Sequence, residues 1–161
     1  MKNKDATQNH QECFNSAMMF IVYRHLLLQE NIMATKKYMD ELIKVIKITK
    51  NKNKENSNFE RFLKPLTNNQ KTTLIECLSR QKEYVPIIQQ YLVKWEYKRL
   101  PAAEKAILLL ATHYIQNNLA ADILVINVSL NLIKKFCEYR NYAYVNAVLD
   151  NIYKAKGEIT T

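Results

Sequence analysis

The chain has 161 residues, 48% hydrophobic and 24% charged, the size and balance of one folded unit with a real core. Its formal charge of +9 points toward a polyanionic partner, nucleic acid or an anionic membrane surface, although abundant Asn, Lys, Ile and Tyr make part of that charge compositional. One glycine, Gly157, excludes phosphate-cradling loops, and with only three prolines a many-turned all-β pattern is excluded too, so an all-α fold is expected.

The start, Met1 to Gln8, is polar and unlike a secretory signal, and no apolar stretch approaches the length of a membrane span. A cytoplasmic protein is therefore expected. From Gln11 to Gln29 the residues Phe14, Ala17, Met18, Ile21, His25 and Leu28 share one helical face, with His25 at the core edge. A second helix is predicted over Thr35 to Lys50, with Met39, Leu42, Ile43 and Ile46 inward and Lys44, Lys47 and Lys50 outward. The polar run Asn51 to Asn58 predicts a mobile connection.

Beyond Phe59, Phe62 and Leu63, Thr67 and Gln70 have the spacing of a capping box, opening a third helix that runs to about Arg80. The fourth is predicted over Val85 to Tyr97 with Pro86 in its first turn, and the fifth opens with Pro101. Asp122 and Asn141 are suitable caps for the sixth and seventh. The fifth, with Ile107 to Ala111, and the sixth, with Ile123 to Ile126 and Val128, are apolar nearly all round and predict burial on most sides. Val145, Val148, Leu149 and Ile152 form the narrower stripe of the seventh. The result is a single domain over 1–161, its first half spanning about 8–64 and its second about 65–156.

Catalytic and metal chemistry find no support. His10, His25 and His113 have neither metal-ligand spacing nor a carboxylate partner in the sequence, and Cys13, Cys77 and Cys137 lie far apart in apolar patterns that read as buried thiols. There is no GxSxG elbow, and the acids are scattered. No enzyme, metal or cofactor is expected. The lysines from Lys44 to Lys54 read as a solvated helix end. The stretch Glu138-Tyr-Arg-Asn-Tyr-Ala-Tyr144, close to Lys134 and Lys135, sets three tyrosines beside cations, a combination that can stack unpaired bases. Tyr139 and Tyr142 read as plugs of the helix junction. Tyr144, about 90° off the inward stripe, is expected to be half exposed.

Leu100-Pro-Ala-Ala-Glu-Lys-Ala-Ile-Leu-Leu-Leu-Ala111, Ile126-Asn127, Lys134-Lys-Phe136 and Tyr144-Val-Asn-Ala-Val-Leu-Asp150 resemble, in order and spacing, the NusB family of bacterial transcription antitermination factors. The likeness covers Leu100 to Ile152 and continues more weakly at Glu12-Cys13 and Ala17-Met18. It implies a bundle of about seven helices in two packed three-helix-like halves. It also implies binding of a boxA-type element of ribosomal transcripts together with the ribosomal protein NusE, acting on RNA polymerase indirectly. A domain of this kind opens certain ribosomal RNA methyltransferases as well, and the free-standing form is expected here.

Some positions depart from the family. Its arginine-rich start corresponds to Thr7-Gln-Asn-His-Gln11, preceded only by Lys2 and Lys4. A family arginine in the fifth helix falls on Leu109, and a glutamate on Val128. Others match: Tyr144 replaces a phenylalanine close to RNA, and Glu104 falls where the family has a glutamate facing NusE. The resemblance thus implies RNA contacts at Lys2, Lys4, Arg140, Asn141 and Tyr144 and a partner contact at Glu104, with Tyr144→Phe nearly neutral. The alternative is a protein-only adaptor that keeps the fold without RNA recognition.

Overall fold

Asn15 opens the first helix in the computed structural model, which describes residues 13–52 and 66–159. Its side chain accepts the Met18 amide at 3.0 Å and caps α1 (Ser16–Leu28), which Gln29 closes from the left-handed region at φ 51°. The apolar periodicity extends upstream through buried Phe14, but the cap sets the boundary, so α1 is shorter than its pattern. In α2 (Ile32–Lys52) the Asn31 side chain accepts the Ala34 amide at 2.8 Å. The helix therefore starts ahead of Thr35, which is buried with its hydroxyl 2.6 Å from His25 Nδ1.

Asn51 and Lys52 are the last residues of α2. The rest of the expected connection, with Phe59, Phe62 and Leu63, lies outside the described residues, as do the side chains of Ile43 and Ile46. The capping box is present before α3 (Asn68–Ser79): Thr67 Oγ1 accepts the Gln70 amide at 3.1 Å, and Gln70 Oε1 accepts the Thr67 amide at 3.0 Å.

Arg80 ends α3 and at once begins α4 (Gln81–Tyr91). The fourth helix thus starts and stops earlier than its sequence suggests, and Pro86 lies inside it on the exposed side, where the hydrogen bond it cannot make falls toward solvent. Gln89 then pins the chain that follows. Its Nε2 donates to the Trp95 carbonyl at 3.1 Å and its Oε1 accepts the Tyr97 amide at 2.7 Å, so Tyr97–Arg99 forms a single 3₁₀ turn instead of extending the helix. Pro101 directly precedes α5 (Ala102–Gln116); α6 (Asp122–Phe136), a 3₁₀ turn at Tyr139–Asn141 and α7 (Tyr142–Ile159) follow.

Helix α5 is the hub, packing against α1, α3, α4, α6 and α7, and Leu108 to Ala111 are wholly enclosed. Helices α1, α2 and α3 also pack on one another, and α3 packs against α4 and α5 as well. Val145, Val148, Leu149 and Ile152 form the buried stripe of α7. Helix α6 departs from expectation: Val125, Leu132 and Ile133 are buried, but Ile126 and Val128 are half-buried and Ile123 is 74% exposed. Covered mainly by α5 and α7, it has an open flank.

Neither expected cap behaves as one. Ala121 precedes α6 without a side-chain cap, and Asp122, in the first turn, pairs with Lys156 of α7 at 3.1 Å. Lys156 also donates to the Ile115 carbonyl at 2.9 Å and to Asn118 at 2.7 Å, fastening α7 to the turn between α5 and α6. Asn141 is drawn elsewhere, as described next. Among the described residues no strand occurs and no helix is long and apolar enough to cross a membrane.

Candidate functional site

The junction between α6 and α7 is organised by a carboxylate from another helix. Glu104 lies in the first turn of α5, where the helix dipole favours a negative charge, yet its side chain is only 2% exposed. A buried carboxylate needs donors. Asn141 Nδ2 supplies one to Oε1 and the Tyr144 hydroxyl supplies one to Oε2. Asn141 can reach it because Cys137 leaves α6 in an extended conformation and the 3₁₀ turn, closed by the Asn141 amide on the Glu138 carbonyl at 2.9 Å, swings residue 141 inward. Asn141 is therefore a ligand of Glu104 and not a helix cap. Glu104, expected from the family resemblance to face NusE, is enclosed.

Burial and the hydrogen bond to Glu104 hold the Tyr144 hydroxyl well above its ordinary value, so it stays protonated and keeps donating. The ring is half-buried, as its helical angle predicts, and lines an open cleft of about 530 Å³. Trp95, Arg99 and Pro101 form one side of that cleft; Arg140, Asn141 and Tyr144 form the other, with Glu104 between. Arg99 pairs with Glu96 at 3.7 Å and Arg140 pairs with Glu138, but both guanidinium side chains are 80% exposed. Ion pairs this wet are weak and leave the cations able to meet an anion.

Outside the cleft, Tyr139 corrects the expectation that it plugs the junction, whereas Tyr142 is half-buried against the core. Tyr139 is 78% exposed and lies nearly parallel to Tyr142, the ring centroids 6.1 Å apart and the planes inclined by 15°. Lys134 Nζ stands 4.9 Å from the Tyr142 ring centroid. The inward place falls to Asn141, whose amide donates to the buried carboxylate of Glu104.

Arg140, Asn141, Tyr144 and Glu104 thus meet at one cleft, while Lys2 and Lys4 lie outside the described residues. Trp95 and Arg99 escaped the sequence reading. Their signal was the run Lys94-Trp-Glu-Tyr-Lys-Arg99, an aromatic and basic stretch whose first four residues were assigned to the end of the fourth helix. Leu109, where a family arginine would fall, is fully buried.

The remaining titratable groups suit structural roles. Burial pushes the Cys13 and Cys77 thiols up to about 12 and Cys137 to about 11, far from the thiolate a nucleophile needs. Cys77 is fully buried, whereas Cys13 and Cys137 are only half-buried. His113 is enclosed, with Nδ1 2.6 Å from the Tyr84 hydroxyl and Nε2 4.0 Å from Glu76, a carboxylate neighbour that only tertiary packing supplies. Burial, with Arg80 nearby, lowers it to about 4. Among the described residues no cluster of His, Cys, Asp and Glu could hold a metal ion.

Known proteins resemble this chain along most of its length. A model of the NusB family matches residues 16–154. The transcription antitermination protein NusB of Macrococcus caseolyticus is 32% identical over 79 residues, 49% of this chain and 61% of that protein. The protein of the same name from Helicobacter pylori strain G27 is 34% identical over 77 residues, 48% of this chain and 56% of its own length. The match therefore spans less than two thirds of these relatives. The structure of T. maritima NusB superposes with a TM-score of 0.65 at 17% identity, covering 98% of this chain and 99% of that one, a likeness of fold.

Proposed function

This chain belongs to the NusB family, and on that premise we infer that it is a non-catalytic, RNA-binding transcription antitermination factor that engages boxA-like RNA together with NusE and reaches RNA polymerase through that complex. The observation that supports this reading best is the cleft that the Tyr144 ring, held by buried Glu104, lines together with the exposed side chains of Arg99 and Arg140. An aromatic face offers stacking to an unpaired base, and flanking cations neutralise phosphates. No bond is made or broken. The site is assembled before the ligand arrives, because the carboxylate fixes both Asn141 and Tyr144, so little ordering is left for binding to impose.

Glu104 in this reading meets NusE indirectly. Too enclosed to touch a partner itself, it shapes the cleft wall that a partner would see. Lys2 and Lys4 would add phosphate contacts, fewer than an arginine-rich start supplies, so the dependence of affinity on salt should be shallow. The cytoplasm is the compartment where such a complex would form. Gel-shift with boxA RNA, with and without NusE, tests the proposal. Wild type should bind, Arg140→Ala should bind more weakly with a smaller salt slope, and Tyr144→Ala should lose about 1 to 3 kcal/mol.

The second reading, a protein-only adaptor, is favoured by the departures. The start lacks arginines, and the position aligned with the fifth-helix arginine is interior Leu109. Calorimetric binding of NusE by a chain that shifts no boxA RNA under any condition would establish it.

A further inference from the structure

We propose that Tyr139 and Tyr142, with Lys134, form a shelf that takes one unpaired base of a single-stranded RNA, separate from the cleft that holds Tyr144. The proposal rests on the RNA-binding reading above and adds a second contact to it. Neither tyrosine lines the cleft.

A tyrosine ring 78% exposed gains little from the fold that displays it, since most of its apolar face stays in water. What the fold supplies is orientation. The 3₁₀ turn Tyr139–Asn141 runs straight into α7, whose first residue is Tyr142, so both rings are set on short, hydrogen-bonded backbone. That turn is itself anchored through Asn141 on buried Glu104. The two planes lie within 15° of parallel, and a base sliding onto the open face of Tyr139 would extend the same stack. Lys134 stands over Tyr142, exposed Lys135 and Arg140 are close to the pair in sequence, and Glu138 pairs with Arg140. The local charge is therefore positive, which suits a phosphate next to the stacked base.

The occupant is chosen by these features. Duplex bases are already stacked and present no free face, so the shelf selects unpaired nucleotides. Stacking reads the π-face that every base has, so the shelf tolerates different sequences. A peptide groove would need concavity and enclosed apolar depth, whereas the Tyr139 ring is 78% exposed and neither ring lines the cleft described above.

The test uses the full chain and a fluorescein-labelled single-stranded boxA RNA, the same strand annealed to its complement, and a set of strands with 2-aminopurine replacing single bases in turn. Wild type should bind the single strand more tightly than the duplex, with 2-aminopurine quenched at one position by stacking. Tyr139→Ala and Tyr139→Leu should both weaken single-strand binding by about five- to 150-fold and abolish that quenching. Tyr139→Phe should retain both properties. Lys134→Ala should lower the salt slope by about 0.7, one single-strand phosphate. Because Tyr139 is so exposed, these variants should melt like wild type.

If wild type binds RNA and Tyr139→Leu binds and quenches equally well, the shelf is overturned while the RNA-binding reading stands. Wild type that binds no RNA overturns both. Loss of NusE binding in Tyr139→Ala with RNA affinity intact would make the surface a protein contact and also overturn the shelf.

Discussion

Replacing Tyr144 by phenylalanine keeps the ring and removes one hydroxyl, a change that the family resemblance implies is nearly neutral for RNA binding. In this fold the hydroxyl donates to Glu104, whose side chain is 2% exposed and whose other oxygen is taken by Asn141. The substitution leaves a buried carboxylate oxygen without its donor. Hydrogen bonds to charged groups contribute about 1.5 to 3 kcal/mol, so a loss of about 2 kcal/mol is expected, roughly a thirtyfold fall in the folding equilibrium. For a chain of this size that corresponds to a melting temperature lower by about 4 to 8 °C.

Urea denaturation followed by far-UV circular dichroism measures the loss, and a double-mutant cycle with Glu104→Gln isolates the pair. The coupling should be about 1 kcal/mol or more, because the hydroxyl has less to contribute once the charge is gone. A Tyr144→Phe protein within about 0.5 kcal/mol of wild type, or a cycle that closes with no coupling, would refute the claim that this carboxylate organises the junction.

Val148→Asp, which puts a carboxylate into the buried stripe of α7, should prevent cooperative folding, and Ile133→Asp should do the same. Ile126→Asp should be distinctly milder, since Ile126 is half-buried; equal melting of all three would misplace the core. Thr67→Ala removes half of the capping box and should cost about 1 kcal/mol, read as a shift of the urea midpoint at unchanged m. His113 is held at about 4 against an ordinary 6.5, so between those values the unfolded chain binds its proton first. Its contribution is complete above about pH 6.5 and is lost as pH falls toward 4, a change of at most about 3 kcal/mol. His25, also lowered by burial, adds in the same direction. The stability of His113→Gln should fall less steeply across that window, and an identical slope would remove His113 from the account.

Helix content was legible in the sequence because it depends on local periodicity and on the near absence of glycine, and the capping box at Thr67 because its partners are three residues apart. The α5 core and the α7 stripe were legible for the same reason: an apolar face at helical spacing has to be covered by something. Boundaries were less so. Asn15 and Asn31 decided two helix starts through single hydrogen bonds, and Gln89 stopped α4 by holding a segment that propensity would let continue.

The site divides along the same line. The tyrosine and arginine cluster at 139–144 was visible as composition, and the half-exposure of Tyr144 followed from its helical angle. Burial of Glu104 was not visible, because it arises from residues more than 35 positions away in sequence that meet it only after α5 and α7 pack. That one contact turns Asn141 inward, which leaves Tyr139 exposed and stacked on half-buried Tyr142. Trp95 and Arg99 joined the cleft because α4 ended early, and Ile126 lost its core place because α6 kept an open flank. Local chemistry writes the helices into the chain, whereas which polar side chain a buried charge recruits is settled only when distant segments compete for it in three dimensions.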